Sequence, residues 1–143
     1  MTTMNSVEDM RTGACYCGAV RFRVTLADGL RQPRRCTCSL CRMRGAVVVS
    51  AKVDDLSITQ GGDVLTEYRF NTGVARHFFC SRCGIYTHHR RRSDPDQYGV
   101  NVACLSGVSP FDFADVVVND GVNHPADGGR SAIAGRLHFV AEE

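Results

Sequence analysis

Seven of the eight cysteines stand in three short groups, and their spacing is that of metal ligands. Two groups are pairs and the third is a triplet: Cys15 with Cys17, Cys80 with Cys83, and Cys36 with Cys38 and Cys41. The first ten residues are polar and show no secretory signal, so we expect a reducing, cytoplasmic setting. In such a compartment, grouped cysteines bind metal or do redox chemistry rather than form disulfides.

The two pairs together supply four thiolates, enough for one tetrahedral structural zinc. Cys80 and Cys83 are followed by Gly84. The two residues between the cysteines let both sulfurs fold back onto one ion. We expect Cys15 and Cys17 at the start of a strand, where residues two apart project from the same face. The alternative is that the four are buried free cysteines or disulfides. The spacing favours a zinc ion on which folding depends.

The triplet predicts a different kind of site. Cys36, Cys38 and Cys41 place three thiols within six residues, and no fourth ligand adjoins them in the sequence. Zinc with three protein ligands keeps one position for water or substrate, so these cysteines are the predicted catalytic residues. Two alternatives stay open. Cys104 or His77 would close the site as a second structural zinc, or the thiols would be metal-free, with a labile disulfide between the first two.

Arginines and histidines near the cysteine groups are candidates for substrate contacts. Arg42 and Arg44 directly follow the triplet and could hold a substrate carboxylate through paired hydrogen bonds. The plainer interpretation of each is a solvated basic rim. His77, His88 and His89 are candidates for acid–base work, with ordinary packing as the alternative.

The elements that must position these residues are mostly strands. Val20, Phe22 and Val24 alternate with polar residues, which predicts a half-buried strand. Helical periodicity is limited to one turn over 39–44, with Ser39 as its expected cap. The chain therefore predicts a mainly β fold of antiparallel sheets. The predicted strands are 20–26, 46–50, 65–70, 75–79, 85–89, 98–103, 116–118 and 137–140.

Length and composition predict one globular domain. The 143 residues divide into a flexible tail over 1–11 and a single zinc-binding domain over 12–143, with a long surface loop over 119–134. A formal net charge of only +2 argues against nucleic acid as the main partner. No apolar run approaches the roughly 18–20 residues that cross a bilayer, so no membrane partner is predicted.

All three cysteine motifs, in order and in register across 12–105, resemble one known family. It is the glutathione-dependent formaldehyde-activating enzyme and centromere protein V family. The motifs are Gly13-x-Cys15-x-Cys17-Gly18-x-Val20-x-Phe22, Cys36-x-Cys38-Ser39-x-Cys41-Arg42 and Phe79-Cys80-x-x-Cys83-Gly84. A second set is more similar to the centromere protein V branch: Tyr68-x-Phe70-Asn71-Thr72, His77-x-Phe79-Cys80, Arg92-Ser93-x-Pro95 and Cys104-Leu105.

The resemblance implies a fold and a reaction. It implies an Mss4-like fold (a β-tent) with two Zn²⁺ per chain: a structural ion on the two cysteine pairs and a reactive ion on the triplet. It also implies addition of a small thiol such as glutathione to formaldehyde, giving S-hydroxymethylglutathione, a carbon–sulfur lyase activity. The alternative functions are a non-catalytic zinc module for a protein or nucleic acid partner, and a thiol redox or metal sensor.

Overall fold

The computed structural model describes residues 10–69, 73–92, 94–123 and 132–142, and these residues form a mainly β structure, as the sequence predicts. The predicted short helix is present as α1, Ser39–Arg44. The strands are β1 Met10–Ala14, β2 Arg21–Thr25, β3 Arg34–Cys36, β4 Val48–Lys52, β5 Leu56–Gln60, β6 Leu65–Tyr68, β7 Arg76–Cys80, β8 Tyr86–Arg90, β9 Gln97–Asn101, β10 Asp115–Asn119 and β11 Ile133–His138.

The strands form two sheets. The smaller sheet has the order β1-β2-β5, and the larger has the order β11-β10-β3-β4-β9-β8-β7-β6. One pair departs from the antiparallel arrangement, because β3 and β10 run parallel, with Val117 opposite Arg34 and Asn119 opposite Cys36. Parallel neighbours need a long connection, and here most of the chain runs between the two strands.

The core lies between the two sheets. Phe22 and Val24 of β2 are almost fully buried, while Arg21 and Arg23 beside them are exposed, which confirms the alternation seen in the sequence. These side chains belong to one apolar cluster with Val49, Val100 and Val116 of the larger sheet. Fully burying a residue of this type contributes about 1.5–3 kcal/mol, so this contact joins the sheets firmly.

Several strands depart from the predicted ranges, and β3 has no counterpart among them. β1 begins at Met10, inside the range predicted as a tail, while residues 1–9 lie outside the described part of the chain. Its Gly13 is buried against the Phe22 ring, a contact that the short motif does not reveal. β11 covers Ile133–His138 rather than 137–140, and every residue in it is exposed, so it lacks the alternation that marks a half-buried strand.

Other predictions fall partly outside the described residues. The predicted strand 65–70 ends at Tyr68 in the structure, and Phe70 is not described. Of the predicted loop over 119–134, the structure describes 119–123 and 132–134. None of the helices in the described ranges has the length and apolar character needed to span a membrane.

Candidate metal centre

The two cysteine pairs converge, one from each sheet. Cys15 and Cys17 lie in the turn between β1 and β2 rather than in a strand, which corrects the expectation from their spacing. Cys80 is the last residue of β7, and Cys83 lies in the turn that leads to β8. The four sulfurs all lie within 4.8 Å of one another. We call this set the four-cysteine cluster.

The sulfur separations in this cluster match those of a zinc tetrahedron. The Sγ atoms of Cys15 and Cys17 are 3.7 Å apart, and those of Cys17 and Cys80 are 3.8 Å apart. Zinc–sulfur bonds of about 2.3 Å at tetrahedral angles place sulfurs about 3.8 Å apart. A disulfide requires about 2.05 Å, so the geometry excludes the disulfide alternative for these contacts.

Backbone N–H groups of the two turns point at the sulfurs. The Val20 N–H donates to Cys15 Sγ and the Arg82 N–H to Cys80 Sγ, each over 3.3 Å. Gly84 completes the second turn with a φ of 78°, a left-handed conformation that favours glycine. Such donors stabilise the thiolate form that a metal needs.

The triplet is built on the end of β3 and the start of α1. Cys36 is the last strand residue, Cys38 is the N-cap of α1, and Cys41 lies within the helix. The cap is therefore Cys38 and not the predicted Ser39, because Cys38 Sγ accepts a hydrogen bond of 3.4 Å from the Cys41 N–H. Cys36 Sγ accepts a similar bond of 3.4 Å from the Cys38 N–H. We call these residues the three-cysteine cluster.

The three sulfurs lie within 4.8 Å of one another, and together they suit a cation. Hydrogen bonds from the thiols of Cys36 and Cys41 hold the pKa of Cys38 well below its usual range. A hydrogen bond with the Cys38 thiol raises the pKa of Cys36, and hydrogen bonds with the Cys36 and Cys38 thiols raise the pKa of Cys41. One thiol of the three therefore ionises easily, and a bound divalent cation would let all three do so.

Neither of the candidate fourth ligands joins this cluster. Among the described residues, the group of sulfurs contains no further His, Cys, Asp or Glu atom within 4.8 Å of all the others. Cys104 is buried elsewhere, with its Sγ 3.5 Å from the Tyr86 carbonyl oxygen. The Nδ1 atom of His77 lies 3.2 Å from a nitrogen of Arg44. Within the described ranges, the donor set thus matches a metal held by three protein ligands.

Arg44 connects the three-cysteine cluster to the sheet. One guanidinium nitrogen lies 3.8 Å from Cys41 Sγ and another lies 3.2 Å from His77 Nδ1. The guanidinium carbon stacks 3.7 Å from the centroid of the Tyr86 ring. Arg42, the other arginine predicted to contact substrate, is exposed. The structure therefore brings one of the two arginines against the thiols.

The three candidate histidines, which lie on β7 and β8, pack in two stacks. His77 stacks on His89 with ring centroids 5.2 Å apart, and His88 stacks on Phe78 at 4.6 Å. Burial lowers the pKa of His77 and of His88 to about 4. These rings are therefore neutral at pH 7, and His88 has the packing role that was the plainer interpretation.

The three cysteine motifs also lie within a region that matches a known family. The model of the glutathione-dependent formaldehyde-activating enzyme family matches residues 10–115, which is 106 of the 143 residues. The chain belongs to this family. All seven clustered cysteines fall within the matched region of the formaldehyde-activating enzyme family.

Two relatives of the chain show how far the similarity extends. A putative glutathione-dependent formaldehyde-activating enzyme of Halomonas elongata is 35% identical over 80 residues, which is 50% of each chain. The chain thus spans half the length of this curated relative. A crystal structure of a Rhodobacter sphaeroides protein superposes with a TM-score of 0.73 at 51% identity. The superposition covers 75% of this chain and 98% of that one.

One residue near the thiols lies beyond the region that the formaldehyde-activating enzyme family matches. Gly121 follows β10, and a Cβ atom there would stand 2.2 Å from Cys36 Sγ and 2.8 Å from the backbone nitrogen of Cys38. Its N–H donates to Thr37 Oγ1 over 3.0 Å, and the Thr37 N–H donates to the Asn119 carbonyl oxygen over 3.0 Å. The sequence showed only a Gly- and Asp-rich loop here, because the contact joins residues far apart in the chain.

Replacing Gly121 with alanine is expected to weaken metal binding at the three-cysteine cluster. The added methyl group must push Cys36 Sγ or the backbone of Cys38 aside. Changes that merely misorient a metal ligand cost about 10- to 100-fold in affinity, and we expect a loss in that range. Competition for zinc with a colorimetric chelator measures it.

Gly135→Ala is the matched control, because a Cβ at Gly135 in β11 meets no atom within 4 Å. This variant should keep the wild-type zinc affinity. Equal affinities in both variants would show that Gly121 does not position the thiols.

Proposed function

We propose that the chain is a zinc-dependent enzyme of the carbon–sulfur lyase type that adds a small thiol, such as glutathione, to a small carbonyl compound, such as formaldehyde. The observation that carries this proposal is the difference in the number of cysteine sulfurs between the two clusters. Four sulfurs surround one position, whereas three sulfurs and no fourth protein ligand among the described residues surround the other. A structural zinc is closed and a catalytic zinc keeps an open coordination position.

In this proposal the two clusters have separate roles. Cys15, Cys17, Cys80 and Cys83 would hold a structural ion between the two sheets. Cys36, Cys38 and Cys41 would hold a second ion. That ion would lower the pKa of an incoming thiol, so that the thiol is present as thiolate near neutral pH.

Arg44 is the chain's own contribution beside the thiols. Its guanidinium is fixed by Tyr86 and His77 and lies against Cys41 Sγ. A fixed cation there can hold a substrate carboxylate or stabilise negative charge on a carbonyl oxygen. The substrate sulfur forms a bond to the carbonyl carbon, the C=O electron pair moves to oxygen, and that oxygen takes a proton. A reducing, cytoplasmic setting that maintains thiols goes with this reaction.

The zinc-loaded protein is expected to accelerate the reaction of glutathione with ¹³C-formaldehyde, measured by exchange NMR of the S-hydroxymethylglutathione carbon. A chelator that removes the ion of the three-cysteine cluster should return the exchange rate to the uncatalysed value, while the circular dichroism spectrum of the folded protein persists. No acceleration by protein loaded at both clusters would reject the proposed enzyme and support the alternatives of a non-catalytic zinc module or a thiol sensor.

A further inference from the structure

A cavity of about 290 Å³ lies between α1 and strands β6, β7 and β8. Its walls are mainly apolar or aromatic: Leu40, Tyr68, Phe78, Phe79 and Tyr86. Arg44, His77 and Gly84 complete the lining. Of the apolar and aromatic wall residues, only Tyr86 has a role in the proposed reaction of formaldehyde, because its ring holds Arg44 in place.

The cavity adjoins the three-cysteine cluster. Leu40 directly precedes Cys41 in α1, and Arg44 both lines the cavity and contacts Cys41 Sγ at 3.8 Å. Because Arg44 is stacked on Tyr86, its guanidinium forms the polar end of an otherwise apolar space. A molecule in the cavity would therefore have one end beside the thiols and the other between aromatic rings.

The size and chemistry of this space do not suit formaldehyde. Its 290 Å³ correspond to about ten water molecules at roughly 30 Å³ each, whereas formaldehyde has two heavy atoms. A dry apolar cavity of about half this volume is enough to bind benzene in another protein. Aromatic walls favour an aromatic guest through offset and edge-to-face contacts.

We infer that the carbonyl substrate is an aldehyde with an aromatic side group, whose ring occupies this cavity while its carbonyl carbon faces the thiols. The inference rests on the proposed function and names the substrate class of the same site. The thiolate sulfur adds to the aldehyde carbon, the C=O electron pair moves to the oxygen beside Arg44, and the oxygen takes a proton. The product is a hemithioacetal, and nothing is oxidised or reduced.

Zinc-loaded protein is tested with glutathione and either formaldehyde or phenylacetaldehyde. We expect the acceleration over the uncatalysed reaction to be at least about tenfold larger for phenylacetaldehyde, since its ring gains the apolar contacts. Leu40→Trp fills the cavity and should abolish this preference. Met43→Trp on the same helix is the control, because Met43 is 81% exposed and outside the lining, and it should keep the preference.

A binding measurement keeps the test independent of turnover and of the folding of the Leu40 variant. Saturation-transfer NMR should show 2-phenylethanol bound to the wild-type protein, with the strongest transfer to the protons of its ring. Acceleration of the formaldehyde reaction without any preference for phenylacetaldehyde, or without binding of 2-phenylethanol, overturns the inference and leaves the proposed function standing. Acceleration of neither reaction rejects the proposed function itself.

Discussion

Replacing Cys80 with serine is expected to unfold the domain. Cys80 is fully buried, and its sulfur belongs to the cluster that joins the two sheets. Structural zinc in small peptides contributes on the order of 10–16 kcal/mol at neutral pH. The net free energy of unfolding of a whole domain is only about 5–15 kcal/mol. Losing the contribution of this ion should therefore make the folded state less stable than the unfolded state. Circular dichroism and zinc counting by mass spectrometry measure the effect.

The matched control is Cys104→Ser. Cys104 is also buried, at 8% exposure, but it lies outside both clusters. Its thiol approaches the Tyr86 carbonyl oxygen, and a serine hydroxyl can donate to the same oxygen. This variant should fold and keep both ions. A Cys80→Ser protein that melts within a few degrees of wild type would show that the four-cysteine cluster does not hold the fold together.

Replacing Cys38 with serine is expected to remove activity while the fold is kept. Cys38 has two roles, as a member of the three-cysteine cluster and as the N-cap of α1. Serine is a preferred N-cap residue, so the helix keeps its cap, whereas the hydroxyl is a poor substitute for a thiolate ligand. Mutating a group that only orients a metal ligand already lowers metal affinity or activity by about 10- to 100-fold. Losing a ligand itself should therefore lower the rate by more than about 100-fold.

Cys38→Ala separates the two roles. It loses the ligand as the serine variant does, and it also loses the cap, which typically costs about 1 kcal/mol. Both variants should bind one zinc ion fewer than wild type, and the alanine variant should have an unfolding free energy about 1 kcal/mol lower than that of the serine variant. If Cys38→Ser unfolds as completely as Cys80→Ser, the three-cysteine cluster is structural and the proposed catalytic role is wrong.

Sequence motifs predicted the clusters because the ligands of each group are close in the chain. The spacing of Cys36, Cys38 and Cys41 was enough to propose one site, since the end of a strand followed by one turn of helix brings such residues together. The alternation around Phe22 predicted its strand for the same local reason. Family membership then followed from the order of the motifs and is confirmed by the match over residues 10–115.

Contacts between distant segments could not be predicted in this way. The position of Gly121 against Cys36 depends on the parallel pairing of β3 with β10, and no local pattern encodes that pairing. The cavity beside Arg44 depends on how α1 lies over β7 and β8. The cap of α1 was assigned to the wrong residue because serine is the usual choice, whereas the thiol of Cys38 occupies that position here.

The pairing of β3 has a consequence for the order in which the protein is assembled during synthesis. β3 has three paired residues with β10 and a single one, Arg34 with Val48, with β4. β10 leaves the ribosome long after Cys83, the last ligand of the four-cysteine cluster. A nascent chain can therefore bind the ion of the four-cysteine cluster early, whereas the thiols at the end of β3 reach their final arrangement only after β10 has been made.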